Sequence, residues 1–178
     1  MSTTVQQQAI VPAGTWHADP VHSDLGFAVD YMAGTFRGTF SRFEASLAEG
    51  ELRGSAEVAS VQVKDENLEA HLQSPEFFDA ERHPQLTFAS RELERRGDEV
   101  TIRGELTMKG HTEQVELRGA ISAPITDPYG KERFGVRVET TVDRTAFGLD
   151  WNAELPTGEP ALSNEVTLTA DLQLVRGE

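Results

Sequence analysis

Apolar and polar residues alternate with a period of two along most of this chain. Leu25, Phe27, Val29 and Tyr31 alternate with Asp24, Gly26, Ala28 and Asp30. Val100, Ile102, Leu106 and Met108 interleave with Thr101, Arg103, Glu105 and Thr107, and Val115, Leu117 and Ile121 with Glu116, Arg118 and Ala120. Phe134, Val136, Val138 and Val142 repeat the pattern, as do Val166, Leu168, Ala170, Leu172 and Leu174. Each run has one apolar and one polar face, which is the signature of an antiparallel strand wetted on one side. Turn-forming pairs separate the runs, among them Ala33-Gly34, Glu49-Gly50, Gly97-Asp98, Lys109-Gly110 and Pro128-Tyr129-Gly130.

One segment departs from this period. Residues 65–73 read as about two helical turns, with Asp65 placed to cap them and Leu68 and Leu72 on one face. Ser74-Pro75-Glu76 then offers a cap, a proline at the first helical position and an acidic first turn, so a helical restart through Phe77 and Phe78 is expected. His83-Pro84 ends this small amphipathic insertion, a candidate lid.

The pattern predicts about eight or nine strands and one short helical insertion. Apolar faces on every strand must meet one another. A closed or nearly closed barrel achieves this and also removes unpaired edges. Glycines inside the strand runs, at 26, 38, 54, 104, 119 and 135, point to curvature, bulges or close backbone approach and so to a barrel. A flat sandwich with a filled core is the alternative.

Composition narrows the chemistry. The 178 residues suit one domain, and 16 basic against 30 acidic residues give a net charge of −14. Such a surface repels phosphate backbones and anionic membranes, so no nucleic-acid partner is expected. There is no cysteine, which removes disulfides, thiolate nucleophiles and iron–sulfur ligation. No apolar run reaches the ~20 residues of a membrane span. Residues 1–12 read as a flexible tail, with the folded domain from 13 to 178. Residues 1–14 hold no Lys or Arg and no apolar stretch, so the expectation is a cytoplasmic protein, or one whose leader has been removed.

No catalytic motif stands out. The five histidines lack metal-ligand spacing, no Gly-x-Ser-x-Gly elbow is present, and phosphate-binding glycine loops are absent. Neither a metal site nor a catalytic residue is assigned. The nine phenylalanines are the distinctive feature. Each alone reads as core, yet together they could wall an apolar tunnel, and period-2 spacing does not separate a filled interior from a hollow one.

Six blocks, in order, resemble the YceI-like family. They are Trp16-His17-Ala18-Asp19-Pro20-Val21-His22-Ser23, Gly34-Thr35-Phe36-Arg37-Gly38-Thr39-Phe40, Leu72-Gln73-Ser74-Pro75-Glu76-Phe77-Phe78-Asp79, His83-Pro84-Gln85-Leu86-Thr87-Phe88-Ala89-Ser90, Gly104-Glu105-Leu106-Thr107-Met108-Lys109-Gly110 and Asp143-Arg144-Thr145-Ala146-Phe147-Gly148-Leu149. The resemblance implies an all-β, eight-stranded antiparallel lipocalin-like barrel with the helical insertion near residues 65–79. It also implies an elongated apolar pocket for a polyisoprenoid chain, such as an isoprenoid quinone or its precursor, with no other cofactor. Members commonly form homodimers, and many are periplasmic or secreted. His111 stands where the family usually has an apolar residue, and is expected to be exposed at a turn without a ligand role.

On this reading the tunnel wall includes Phe27, Phe36, Phe40, Phe88, Leu106, Met108, Phe134 and Phe147, with Leu72, Phe77 and Phe78 at the lid. Asp19, His22 and Ser23 are candidates for a polar mouth, although short polar side chains beside proline more often serve a turn. Arg144 reads first as a structural partner of Asp143, and second as a holder of an anionic head group. Three functions remain open: a lipid carrier or store, an enzyme on a prenylated substrate using His22 or Asp19, and a packed structural domain.

Overall fold

Residues 11–177 are described by the computed structural model. The expected tail, residues 1–12, lies outside this range apart from its last two positions. The strands are β1 (Thr15–Ala18), β2 (Asp24–Tyr31), β3 (Gly34–Phe40), β4 (Phe43–Ala48), β5 (Glu51–Glu57), β6 (Val61–Gln62), β7 (Gln85–Arg96), β8 (Glu99–Met108), β9 (His111–Ile121), β10 (Ile125–Thr126), β11 (Glu132–Asp143) and β12 (Leu162–Arg176). One helix, α1 (Glu66–Gln73), joins β6 to β7.

These strands close into an eight-stranded antiparallel barrel. β12 pairs with β11 along one edge and with both β1 and β2 along the other, so β1 and β2 share one place in the ring. β3 and β4 likewise share the next place, and β5 and β6 the third, followed by β7, β8, β9 and β11. β10 is a two-residue flap on β11. Neighbours in the ring are neighbours in sequence, an up-and-down meander closed by the β11–β12 ladder. Two-residue turns suit it: Glu49-Gly50 and Lys109-Gly110 both carry two consecutive positive φ angles, as hairpins twisted like the flanking strands require.

Three of the eight strands are broken at one shared corner, which the alternation did not announce. Pro20 lacks an N–H and interrupts the first at residues 19–23. Ser41-Arg42 interrupts the second and a 3₁₀ turn, Val58–Ser60, the third. Buried Ser60 satisfies the corner: its hydroxyl accepts from the Arg42 amide at 3.0 Å and donates to the Glu57 carbonyl at 2.7 Å. Two glycines allow backbones to meet elsewhere. A Cβ at Gly104 would lie 2.3 Å from the Ala89 carbonyl oxygen, beside the bulge in β7, and one at Gly119 would lie 1.8 Å from that of Arg137.

The helix forms as expected. The Asp65 carboxylate accepts from the amides of Asn67 and Leu68, capping α1. The helical restart after Ser74 does not form. Ser74 is extended, and its carbonyl accepts from both Phe77 and Asp79 while Phe78 N–H donates to Leu72 O. Residues 74–78 are therefore tight turns that end α1 and deliver Phe77 and Phe78 to the barrel.

Inward-facing side chains sort into two groups. One end of the barrel is solid, packed by Trp16, Leu47, Val100, Ile102, Phe134 and Leu174 among others. The other is walled by Phe27, Phe40, Leu106, Met108 and Val142 and roofed by Leu72 and Phe77. Among the described residues no helix is long and apolar enough to cross a membrane.

Candidate functional site

The roofed end of the barrel is hollow. Its cavity has a volume of about 270 Å³. Alternate residues of most strands face it: Leu25, Phe27, Val29 and Tyr31 from β2, Phe36 and Phe40 from β3, Leu86 and Phe88 from β7, Leu106 and Met108 from β8, Val115 and Leu117 from β9, Val138 and Val142 from β11, and Val166 and Leu168 from β12. Because the side-chain period is two, the same alternation that keeps Arg, Glu and Thr in water makes this wall apolar. The floor is formed by Phe43, Leu52, Phe88, Leu117, Val138 and Leu172, which line the cavity and also pack on the solid end.

The lid combines α1, the turns after it and the loop carrying Trp151. Leu68, His71 and Leu72 face the cavity from α1, and Phe77 and Phe78 from the turns. The His71 ring stands edge-on to Phe77 at 4.9 Å and to Trp151 at 5.0 Å, while its Nε2 shares a 2.7 Å hydrogen bond with Glu76. Phe78 packs edge-on against Phe40 at 5.8 Å. The Lys109 ammonium straps the assembly by donating to the carbonyls of Pro75 at 2.8 Å and Gly148 at 3.2 Å.

Arg144 sits on the 3₁₀ turn after β11 and is 4% exposed. Its five N–H groups face the carbonyls of Ser163, Leu149, Trp151 and Leu162 and the side-chain oxygen of Asn164. Burial pushes its pKa down, opposed by the charges of Asp143 and Asp150. The guanidinium reaches the cavity wall, yet its donors hold the Trp151 loop to the start of β12. Asp143 is occupied separately, its carboxylate held low by the Thr145 hydroxyl and amide.

Nine of the eleven apolar candidates line the cavity: Phe27, Phe36, Phe40, Leu72, Phe77, Phe78, Phe88, Leu106 and Met108. Two do not. Phe134 belongs to the solid end, its ring edge-on to Trp16 at 4.7 Å. Phe147 is the last residue of the 3₁₀ turn after β11 and is fully buried. Periodicity gives the direction a side chain takes, but not the height along the barrel at which packing closes.

Asp19, His22 and Ser23 also lie away from the cavity lining, at the break between β1 and β2. Asp19 Oδ2 meets His22 Nδ1 at 2.7 Å and accepts from Arg133 at 3.1 Å, while its Oδ1 accepts from the Val21 amide. These contacts, the His22 bond foremost, lower the Asp19 pKa to about 2. Arg133 also grips Asp127 at 2.8 Å and Gln173 at 2.9 Å, and the Ser23 hydroxyl accepts from the Gln173 amide. The cluster ties the broken strand to β11, β12 and the β10 flap. His111 is exposed in its turn, with Nδ1 bonded to the Lys109 carbonyl. Sequence reasoning missed Tyr31, His71 and Trp151 as lining residues. Tyr31 ends an alternating run and was legible, whereas Trp151 lies in a loop with no period.

Comparison with known proteins matches residues 16–174 to the YceI-like domain. A UPF0312 protein of Staphylococcus epidermidis is 30% identical over 168 residues, spanning 87% of this chain and 94% of the relative. The crystal structure of Burkholderia cenocepacia BcnA superposes with a TM-score of 0.75 at 22% identity, covering 88% of this chain and 98% of that one. A polyisoprenoid binding domain from Saccharophagus degradans, implicated in plant cell wall breakdown, superposes with a TM-score of 0.67 at 14% identity, covering 91% and 98%. The two structures share the barrel. With the family domain matched from the first strand to the last, this chain belongs to the YceI-like family.

Proposed function

We propose that this protein binds a long-chain polyisoprenoid lipid, an isoprenoid quinone or a precursor, in the barrel cavity and stores or carries it unchanged. The observation that carries the reading is the cavity itself: apolar on every wall, floored by packed side chains and covered by an aromatic lid. Its likeness to a polyisoprenoid binding domain supports the same ligand class. At the ~30 Å³ a water-sized group takes in a liquid, this volume encloses a chain segment of on the order of ten carbons or more. Burial at ~0.8 kcal/mol per methylene would supply on the order of 10 kcal/mol before the costs of association.

The head group is neutral on this reading. Arg144 is the cation among the lining residues, and its donors are committed to carbonyls within the fold. Tyr31 and Trp151 offer uncharged polar atoms instead. Asp19 and His22, the residues an acid–base mechanism would use, are held in the corner network, which supports binding without chemistry. Pairing into a homodimer belongs to the same proposal: light scattering at twice the monomer mass would support it, and a monomer would remove it.

Native mass spectrometry of protein purified from a prenylquinone-making host tests the assignment. A retained isoprenoid mass, with a rise in Tm on adding the quinone to stripped protein, is expected. Ligand-free protein whose Tm ignores added quinone would overturn it.

A further inference from the structure

Phe27 and Gly38 are direct partners across the β2–β3 ladder, and both side-chain positions face inward. Gly38 does not line the cavity, whereas Phe27 does. The glycine geometry gives the reason. A Cβ at Gly38 would lie 2.4 Å from Phe27 Cζ, 2.7 Å from its Cε1 and 2.9 Å from Val63 Cγ1. The Phe27 ring occupies the notch that the missing side chain leaves.

This notch differs from the other close glycine approaches in the barrel. At Gly119 every near atom is backbone, and at Gly104 the closest is the Ala89 carbonyl oxygen at 2.3 Å, with Phe88 Cζ at 2.7 Å and Ser90 Cα at 2.8 Å, so backbone is met first at both. At Gly38 all three near atoms belong to side chains. Adding one methyl there leaves the strands where they are and moves the ring. To pass from 2.4 Å to the 3.4 Å of ordinary contact, Phe27 Cζ must shift by about 1 Å. Val63 packs on the same cluster and also crowds the new methyl, and the rings of Phe36 and Phe40 stand 6.2 Å and 5.9 Å from Phe27. The space open to the displaced ring is the cavity.

We infer that Gly38, through Phe27, sets the width of the bore and selects methyl-branched over unbranched chains. The inference rests on the proposed lipid binding and deepens it. A polyisoprenoid carries a methyl at every fourth chain carbon, so its cross-section is periodically wider than that of a straight alkyl chain. A bore that loses one methyl of width at Gly38 penalises the branched chain selectively, and one methylene in an apolar pocket is worth ~10–200-fold in discrimination.

Phytol and 1-eicosanol test this, since both are neutral twenty-carbon alcohols and differ in branching. Affinities would be measured for wild type, Gly38→Ala and the double variant Phe27→Leu/Gly38→Ala, each stripped of lipid. Gly38→Ala is expected to weaken phytol about tenfold or more and eicosanol less than about twofold. The double variant, lacking the ring atoms that meet the new methyl, is expected to restore the wild-type phytol-to-eicosanol ratio. An unchanged ratio in Gly38→Ala, or an equal loss for both alcohols, overturns the inference while leaving lipid binding intact. Wild type that binds neither alcohol overturns the binding reading instead. If Gly38→Ala fails to fold, Phe27→Trp, which enlarges the same ring, carries the test: a phytol-to-eicosanol ratio below that of wild type supports the bore, and an unchanged ratio overturns it.

Discussion

Phe134 and Phe36 make a matched pair for separating a packed ring from one that walls a cavity. Phe134 is 2% exposed, pairs with Leu174 across the β11–β12 ladder and stands edge-on to Trp16. Truncation to alanine leaves a ring-sized void among fixed neighbours, at a cost of about 3–5 kcal/mol. For a domain of this size each kcal/mol lowers Tm by ~2–4 °C, so Phe134→Ala should lose on the order of 10 °C. Phe36 is half-buried and already faces empty space on one side. A ring with no partner atoms on that side has fewer contacts to lose, so Phe36→Ala should cost roughly 1 kcal/mol. Thermal unfolding of lipid-stripped protein, followed by circular dichroism, reads the first quantity. Titration with phytol reads the second, and should show weakened or altered affinity for Phe36→Ala and wild-type affinity for folded Phe134→Ala. Equal Tm losses, or a binding change confined to Phe134→Ala, would refute the division of the barrel into a solid and a hollow half.

Other consequences follow from single contacts. Asp19 has a folded pKa depressed to about 2, so its contribution to stability is complete above pH ~4 and is lost as the pH falls from there toward 2. Asp19→Asn should therefore flatten the Tm-versus-pH curve between pH 2 and 5 and leave phytol affinity at pH 7 unchanged; a wild-type acid limb in the variant would contradict this. Arg144→Lys keeps the charge but offers three donors to five acceptors, and should destabilise by about 3 kcal/mol or more with rising exchange of the amides around residues 149–163. A Tm within 2 °C of wild type would show that the carbonyl cage is dispensable. Gly104→Ala should fail to give soluble folded protein, because the obstructing Ala89 carbonyl is backbone that a bulge fixes; a normal circular dichroism spectrum would contradict the close approach.

The strands were legible because one face of nearly every ladder is wet. Where alternation is strict, as in β8 and β11, the sequence marks both the element and its inward face. The lid helix was legible through Asp65 and the Leu68/Leu72 pair. What failed to show depends on distance rather than pattern. Ser74-Pro75-Glu76 carries every local sign of a helix start, yet Ser74 O is claimed by two turn amides and the chain must reach β7. The corner at Pro20, Arg42 and Ser60 needs three separated segments to align before it exists. Phe134 and Phe36 obey the same alternation and differ in height along the barrel, which no local signal encodes. Trp151 enters the site because Arg144 holds its carbonyl, a contact between a turn and a loop with no period in either.

Crystallography of protein purified with its lipid tests the central claim most directly. The account predicts continuous tubular density from His71 and Phe77 at the lid down to Phe88 and Leu172 at the floor. Rings of Phe27, Phe36, Phe40 and Phe88 closed upon one another, with no density between them, would contradict it.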